Sequence, residues 1–447
     1  MGYKPGSADQ HPAGTSNVAI GSGGGAAIES GGTQNTIVGE EAGNDLTTGD
    51  ANVFVGYQAG DKTTAVTQAV VIGAGACGAN MTAHAQGTIA IGTGALALLT
   101  SGQYNVAVGG AALDACVTGN GSTAIGTYAL GAQTTSADDD VGNTAVGAFC
   151  ADAITTGFSN TAVGYVALSN AVDVDSVTAI GRSSCAGIMT SDADGATAVG
   201  AQALFTNTEG VGPTAVGFQA LRLNLVGDKN TAVGYQALET TTAGNNTAVG
   251  YNAGQAVAAG SGNTCVGTNA GDVLVEGDDN VMIGAFTDPS ASDSTNQIVI
   301  GKGIAGTADD QFSFGKASNV VSNDFGTDAD WSRASDIRKK RNVKDDTLGL
   351  EFINDLRTVT FQWKPSNEFP KEWNEYNDEN QMNLDAVMHG FIAQEIKGAL
   401  DKAEVDTFAG WKERPDGSQA ISRDMLIMPL VKAIQELTER VKELENK

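Results

Sequence analysis

The sequence predicts a mostly β chain: a long parallel β-solenoid shaft followed by a small α/β domain that ends in a coiled coil. Three observations carry this. A short unit of the form Asn-Thr-Ala-Val-Gly recurs from Asn17 to Gly301 at a step of roughly seventeen residues, with additions of two to four at a few places. Fixed-period self-similarity of this length marks a solenoid. The Gly/Ala/Thr-rich composition then gives way near Ser335 to a mixed sequence with Trp, Pro and Lys. Finally, Leu430, Ile434, Leu437, Val441 and Leu444 alternate four and three residues apart, the a/d seam of a coiled coil over 426–447.

Residues 1–16 form a short N-terminal segment, and the shaft occupies 17–301. Its marker glycines run from Gly21 to Gly301, and the residue before each is always Val or Ile. Two places before the Gly stands mostly Ala, three before it Thr or Val, and four before it often Asn. A short strand puts the first and third of the triplet on one face and the second, with Gly, on the other. The expectation is that the β-branched Thr/Val face fills the coil interior, where such side chains pack well. The bare Ala/Gly face would then lie where another backbone comes close. After each Gly comes a turn, a small residue and often Leu (Leu96, Leu113, Leu130, Leu168, Leu204, Leu221, Leu238), a second apolar row. Polar, acidic connections such as Asp138-Asp139-Asp140 absorb the length variation, as surface loops do. About seventeen rungs at ~4.8 Å each give a shaft roughly 80 Å long.

This unit resembles the head repeats of trimeric autotransporter adhesins, which form a left-handed parallel β-roll assembled as a trimer, although the step there is shorter. The resemblance implies a trimeric shaft with longer outer turns. A structural spacer is the first reading of its role. Receptor or glycan binding is the second, because Tyr57, Tyr165, Phe218, Tyr235 and Tyr251 follow marker glycines and could form a stacking ladder for sugars. A Thr file from Thr123 to Thr264 suggests ice binding, but one Thr per rung, expected to point inward, argues against it. The acidic loops match neither an EF-hand nor the nonapeptide of calcium β-rolls, so no metal site and no cofactor is expected. A glycan depolymerase would need paired carboxylates across a sugar cleft, and the acids here sit in loops of varying length.

Residues 302–334 form a neck, with strands expected at Gln311–Gly315 and Asn319–Phe325 and Trp331 near the junction. The bulkier triplets Val281-Met282-Ile283 and Ile298-Val299-Ile300 read as end rungs. From Ser335 to Lys447 four stretches occur in order: Ser335-Asp336-Ile337-Arg338-Lys339-Lys340-Arg341-Asn342-Val343; Leu348 to Ile353 leading to Phe361-Gln362-Trp363-Lys364; His389-Gly390-Phe391-Ile392-Ala393-Gln394-Glu395-Ile396; and the heptad seam. Together they resemble the self-cleaving intramolecular chaperone domain of peptidase family S74, carried by many phage tail spikes and fibres. The resemblance implies a homotrimer, with Leu430, Ile434, Leu437, Val441 and Leu444 in the trimer seam. It implies cleavage between Ala334 and Ser335, with Ser335 as nucleophile and Lys340 as its base. Burial and the positive charge of Arg338, Lys339 and Arg341 would favour a neutral Lys340 amine. Were Ser335 to cap a continuing helix, Lys339, four residues on, would lie nearer its face than Lys340. Asp336, Arg338, His389 and Glu395 are the supporting candidates, and His389 reads as structural rather than as a partner of Ser335. The alternative is an adhesin or binding shaft whose C-terminal domain stays attached, uncleaved, as a trimeric tip.

Charge bounds the partners. The chain holds 25 basic and 52 acidic residues, of which 8 and 30 precede Ser335. Such a surface repels nucleic-acid phosphates and anionic lipid. No stretch is long and apolar enough to span a membrane, and no charged segment with an apolar core opens the chain, which argues against a self-exported adhesin. Five cysteines, Cys77, Cys116, Cys150, Cys185 and Cys265, fit neither zinc nor disulfide spacing and read as small buried hydrophobes made in a reducing compartment. The expected setting is a virion tail fibre assembled in the host cytoplasm, bound at its N-terminus to another tail protein and facing a host surface receptor, with a glycan as one candidate.

Overall fold

The computed structural model describes residues 16–28, 31–134, 140–317, 319–325, 332–333, 336–373, 376–380 and 382–446. Trp331, Asp138 and Asp139 lie outside them. The chain divides into two compact units, 1–334 and 335–447.

The first unit is a parallel β-solenoid. Its short strands run from β1 (Val18–Ile20) to β17 (Ile298–Lys302), each pairing in parallel with the next so that marker triplets align. Thr214, Ala215 and Val216, for instance, stand opposite Thr231, Ala232 and Val233. The marker glycines hold the rungs close. Gly217 has φ +137°, and a Cβ there would lie 2.3 Å from the carbonyl oxygen of Gly234 on the following rung. Only glycine permits both that φ and that approach.

The interior reverses the expected assignment of faces. From β2 (Thr36–Val38) onward the middle residue of the triplet is buried, while the flanking Thr and Val or Ile face outward, half-buried or exposed. Ala215, Ala232 and Ala248 are fully buried, and the Leu row (Leu204, Leu221, Leu238) is buried opposite them. The physical reason is volume. Two rows share the inside of a narrow coil, and Leu already fills one side, so only Ala fits on the other. On the rungs of Ile37, Phe54 and Cys265, which bring a larger side chain inward, Gly stands where other rungs carry Leu. A Cβ on Gly43 would sit 2.7 Å from the Phe54 ring, and one on Gly271 would sit 2.6 Å from Cys265 Sγ. All five cysteines are buried, and burial pushes the thiols of Cys150, Cys185 and Cys265 up to about 12. They are inert packing residues in this fold.

A file of buried asparagines ties rung to rung. Asn230 Oδ1 accepts from the Asn246 amide at 2.9 Å, Asn246 Oδ1 from the Asn263 amide at 2.9 Å, and Asn263 Oδ1 from the Asn280 amide at 3.0 Å. Each Nδ2 donates to a connecting-loop carbonyl, as Asn246 does to Gly260 at 2.8 Å. These bonds satisfy backbone groups that the loops would otherwise bury unpaired.

The neck strands form where the alternation places them. β18 (Gln311–Lys316) pairs in parallel with β17, and β19 (Asn319–Asp324) returns antiparallel to β18, followed by β20 (Ser332–Arg333) on β19. Val320 packs on the end of the solenoid core, and the inward Met282 and Val299 make the terminal rungs bulkier than the alanine rungs before them.

The second unit is small and mixed. Helix α1 (Leu350–Asn354) precedes β21 (Val359–Phe361), which pairs antiparallel with β22 (Met388–Gly390). Helix α2 (Ala393–Lys402) is followed by the hairpin β23 (Trp411–Glu413) and β24 (Gln419–Ile421), and α3 (Ile427–Glu445) closes the chain. Leu348, Phe352, Ile396, Ala399, Leu400 and Leu426 form its core. Glu436 of α3 accepts from the Leu350 amide at 2.8 Å, placing a carboxylate at the start of α1.

Candidate functional site

Ala334 and Ser335, the expected cleavage pair, lie outside the described residues. The residues that follow form a single tight turn. Asp336 caps it, its Oδ1 accepting from the Arg338 amide at 2.8 Å, and the turn spans Ile337–Lys339. Arg338 folds back on the same carboxylate, with Nη2 2.7 Å from Oδ2 and Nε 3.0 Å from Oδ1. The Asp336 hydrogen bond holds the Arg338 guanidinium above its usual range. Lys340 stands just past the turn, its amide donating to the Ile337 carbonyl at 3.0 Å, with extended backbone.

This geometry removes the helical-spacing argument for Lys339. The cap is Asp336, and one turn of 3-10 helix ends at Lys339. The i to i+4 relation needs a helix that continues, and this one does not. Lys340 is exposed in the single subunit, so the burial expected around it is not supplied by its own chain.

The remaining candidates sit apart along the fold of the second unit. His389 is exposed on β22, opposite Thr360 of β21, and its carbonyl accepts from Arg423 Nη1 at 3.4 Å. It borders a groove of about 630 Å³ with Phe361, Trp363 and Trp373 in its walls. Glu395 lies in the first turn of α2 and pairs with Arg357, whose Nε reaches Oε2 at 3.1 Å. That bond holds the Glu395 carboxyl below its ordinary range. Glu395 therefore serves the seating of α2 on the segment after α1. Leu430, Ile434, Leu437, Val441 and Leu444 are between 44% and 71% exposed along α3, an apolar seam that its own chain covers only in part.

Residues 335–404 match the family model described as the chaperone of endosialidase. The chain carries a chaperone-of-endosialidase domain. Preceded by a β-solenoid, this chaperone fits a phage tail fibre with its chaperone at the C-terminal end. No curated protein and no solved structure matches the chain. The chaperone match covers Asp336, Arg338, Lys340, His389 and Glu395 and stops short of α3.

In the shaft, the aromatic residues after the marker glycines stack on one another. Phe218 and Tyr235 have centroids 5.3 Å apart, and Tyr235 and Tyr251 5.1 Å apart, with planes 19° and 8° from parallel. Tyr165 meets Phe149 edge to face at 6.4 Å. Within a stack, the ring faces that a sugar would cover are already occupied by the neighbouring rung. Among the described residues no helix is long and apolar enough to cross a membrane, and no group of three or more His, Cys, Asp or Glu is gathered to hold a metal.

Proposed function

We propose that this chain is a phage tail-fibre or tail-spike subunit, a homotrimeric shaft whose C-terminal chaperone aligns three copies, directs their folding and is then released by self-cleavage. The observation that carries the reading is the junction itself, where a solenoid of near-identical rungs meets a chaperone-of-endosialidase domain. Rungs this alike can slip by a whole repeat at little cost, since each offers the same partners to the next. Long-range pairing of this sort also folds slowly. A domain that trimerises first, through the seam of Leu430, Ile434, Leu437, Val441 and Leu444, sets the register before the rungs zip.

In the proposed cleavage, Ser335 Oγ gives its proton to the Lys340 amine and attacks the Ala334 carbonyl carbon. The C–N bond breaks as the C–O bond forms, and the departing Ser335 nitrogen takes up a proton to leave as a free amine. Water then hydrolyses the resulting ester. The division of the chain into compact units at this bond supports the site. Removal of the template leaves the mature shaft held by a kinetic barrier. Contact with a host receptor, with a glycan as one candidate, and attachment of residues 1–16 to another tail protein belong to the same proposal. Sugar stacking on the aromatic ladder is restricted to the end rings of each stack.

Mass spectrometry of the purified chain and of Ser335→Ala, Lys340→Ala and Lys339→Ala tests this. Cleavage in the parent and in Lys339→Ala, with none in the other two, is expected. A Lys339→Ala chain that alone stays uncut overturns the assignment of the base. The exposure of Lys340 favours a second reading, in which the domain is retained as a trimeric foot. One uncut mass for the parent chain decides for it.

A further inference from the structure

The solenoid has a face that its own chain leaves uncovered. The first and third residues of every triplet point outward, and over all seventeen rungs these two files contain only Val, Ile and Thr. In the third file Ile125, Ile180, Val233, Val249, Ile283 and Ile300 are between 36% and 40% exposed. No charged side chain enters the triplets, although 38 charged residues precede Ser335. The charges are carried by turns and loops, as at Asp175, Asp228 and Asp278.

We propose that this Thr/Val/Ile face is the surface through which three copies of the chain pack along the shaft, an inference that rests on the trimeric reading above. Four arguments select a second copy as the occupant. The first unit carries 30 acidic residues against 8 basic ones, so two copies repel at long range everywhere except across an uncharged strip. β-branched side chains are already restricted at χ1, so they lose little freedom when covered. A face about 80 Å long and about 10 Å wide offers roughly 800 Å² per subunit, shared between two neighbours, so three copies closing on one axis bury on the order of 2,400 Å² in all. Finally, around a threefold axis parallel chains set each residue against its own copies at the same height. A file that is Val or Ile on every rung is then matched to itself all along the shaft.

Phe218, Tyr235 and Tyr251, two places after the third file in sequence, stack on one another from rung to rung. The outward Thr file restores the geometric premise for an ice-binding face, which the expected inward orientation had removed. Val or Ile on every rung beside the Thr file offers apolar surface for a second copy to bury, which favours that occupant over an ice lattice.

Single cysteines placed in the full chain test the proposal, because the five native cysteines are buried and leave a clean background. Thr231→Cys and Val233→Cys lie on the face, and Val211→Cys lies on an exposed loop outside the strands. Sedimentation, far-UV circular dichroism and oxidative cross-linking are read on each. The expected result is a trimer of parent spectrum in which one or both face positions give chain-to-chain disulfides and Val211→Cys gives none. Cross-linking at Val211→Cys alone, or at no position in a chain that sediments as a trimer, overturns the face and leaves the trimer standing. A folded monomer overturns both, and thermal hysteresis in that monomer assigns the face to ice.

Discussion

Replacing Asn246 by Ala is expected to damage the shaft far beyond the loss of one small side chain. Asn246 is fully buried. Its Nδ2 donates to the Gly260 carbonyl at 2.8 Å, and its Oδ1 accepts from the Asn263 amide at 2.9 Å and from Asn263 Nδ2 at 3.2 Å. Asn263 Nδ2 keeps a second partner, the Gly277 carbonyl at 2.7 Å. The Gly260 carbonyl and the Asn263 amide lose theirs in surroundings closed to water. Two orphaned backbone groups at ~1–3 kcal/mol each give a cost of about 2–6 kcal/mol. Hydrogen exchange read by mass spectrometry is the suitable assay, because a repeat protein need not unfold in one step. Protection should fall on the rungs at Thr247–Val249 and Thr264–Val266 and be retained toward the N-terminal end. Thr242→Ala, which removes an exposed hydroxyl bond of 3.1 Å to the Ala258 carbonyl, is the control and should change little. Parent-like protection around Asn263 in Asn246→Ala would refute the view that buried asparagines tie the rungs together.

Other outcomes follow from the same contacts. Gly234→Ala would bring a Cβ 2.1 Å from the Gly250 carbonyl oxygen at φ +142°, so the variant should yield little soluble shaft on expression, whereas Gly110→Ala, where a Cβ meets nothing nearer than 4.0 Å and the backbone is not left-handed, should yield nearly as much as the parent. Burial, and then the charge of Asp272 beside it, push the Asp288 carboxyl up to about 6, against 3.8 for the ordinary group. Its contribution is therefore fully present below about pH 4 and lost as pH rises through about 6, and Asp288→Asn should flatten that slope in melting curves taken across this window. Leu221→Ala empties part of the buried row and should cost ~2–5 kcal/mol, seen as local loss of exchange protection. Ile434→Asp with Leu437→Asp places charge in the exposed seam of α3 and should abolish trimers in sedimentation if the seam joins three chains.

Much of this fold is legible in the sequence, and the exception is which face of the strands lies inside. The marker glycines located every rung, because a Gly ladder leaves a period that no other packing requires. Alternation correctly told that Thr and Val share a face, but it is silent on which face is inside. Choosing β-branched residues for the interior assumed a coil wide enough to hold them. The Leu row across the coil removes that room, and the signal lay in the exchanges of Leu for Gly at Gly43 and Gly271, where a large residue enters from the strand. The asparagine file was visible as composition, yet its bonds depend on loops fourteen residues away. In the second unit a helix forms at Leu350–Asn354, within the stretch from Leu348, and the strand Val359–Phe361 ends where the stretch Phe361-Gln362-Trp363-Lys364 begins. At Asp336 the sequence left open whether a helix continues, and one carboxylate that accepts from both the Arg338 amide and its side chain caps a single turn, so the condition attached to Lys339 is not met.

The exchange of volumes between the two inner rows has a consequence for how such shafts change length. From Ala90 to Ala232 the rungs carry Ala on one side, faced by Leu or another modest side chain, so a whole rung there can be duplicated or deleted and its neighbours meet the same surface. Toward the ends, Ile37 lies against Gly25 and Gly43, Phe54 against Gly43 and Gly60, and Met282 near Gly271, so these rungs are not interchangeable with their neighbours. A lineage can therefore lengthen or shorten its reach in steps of about 5 Å by editing the middle, while both termini stay fixed as bespoke fittings.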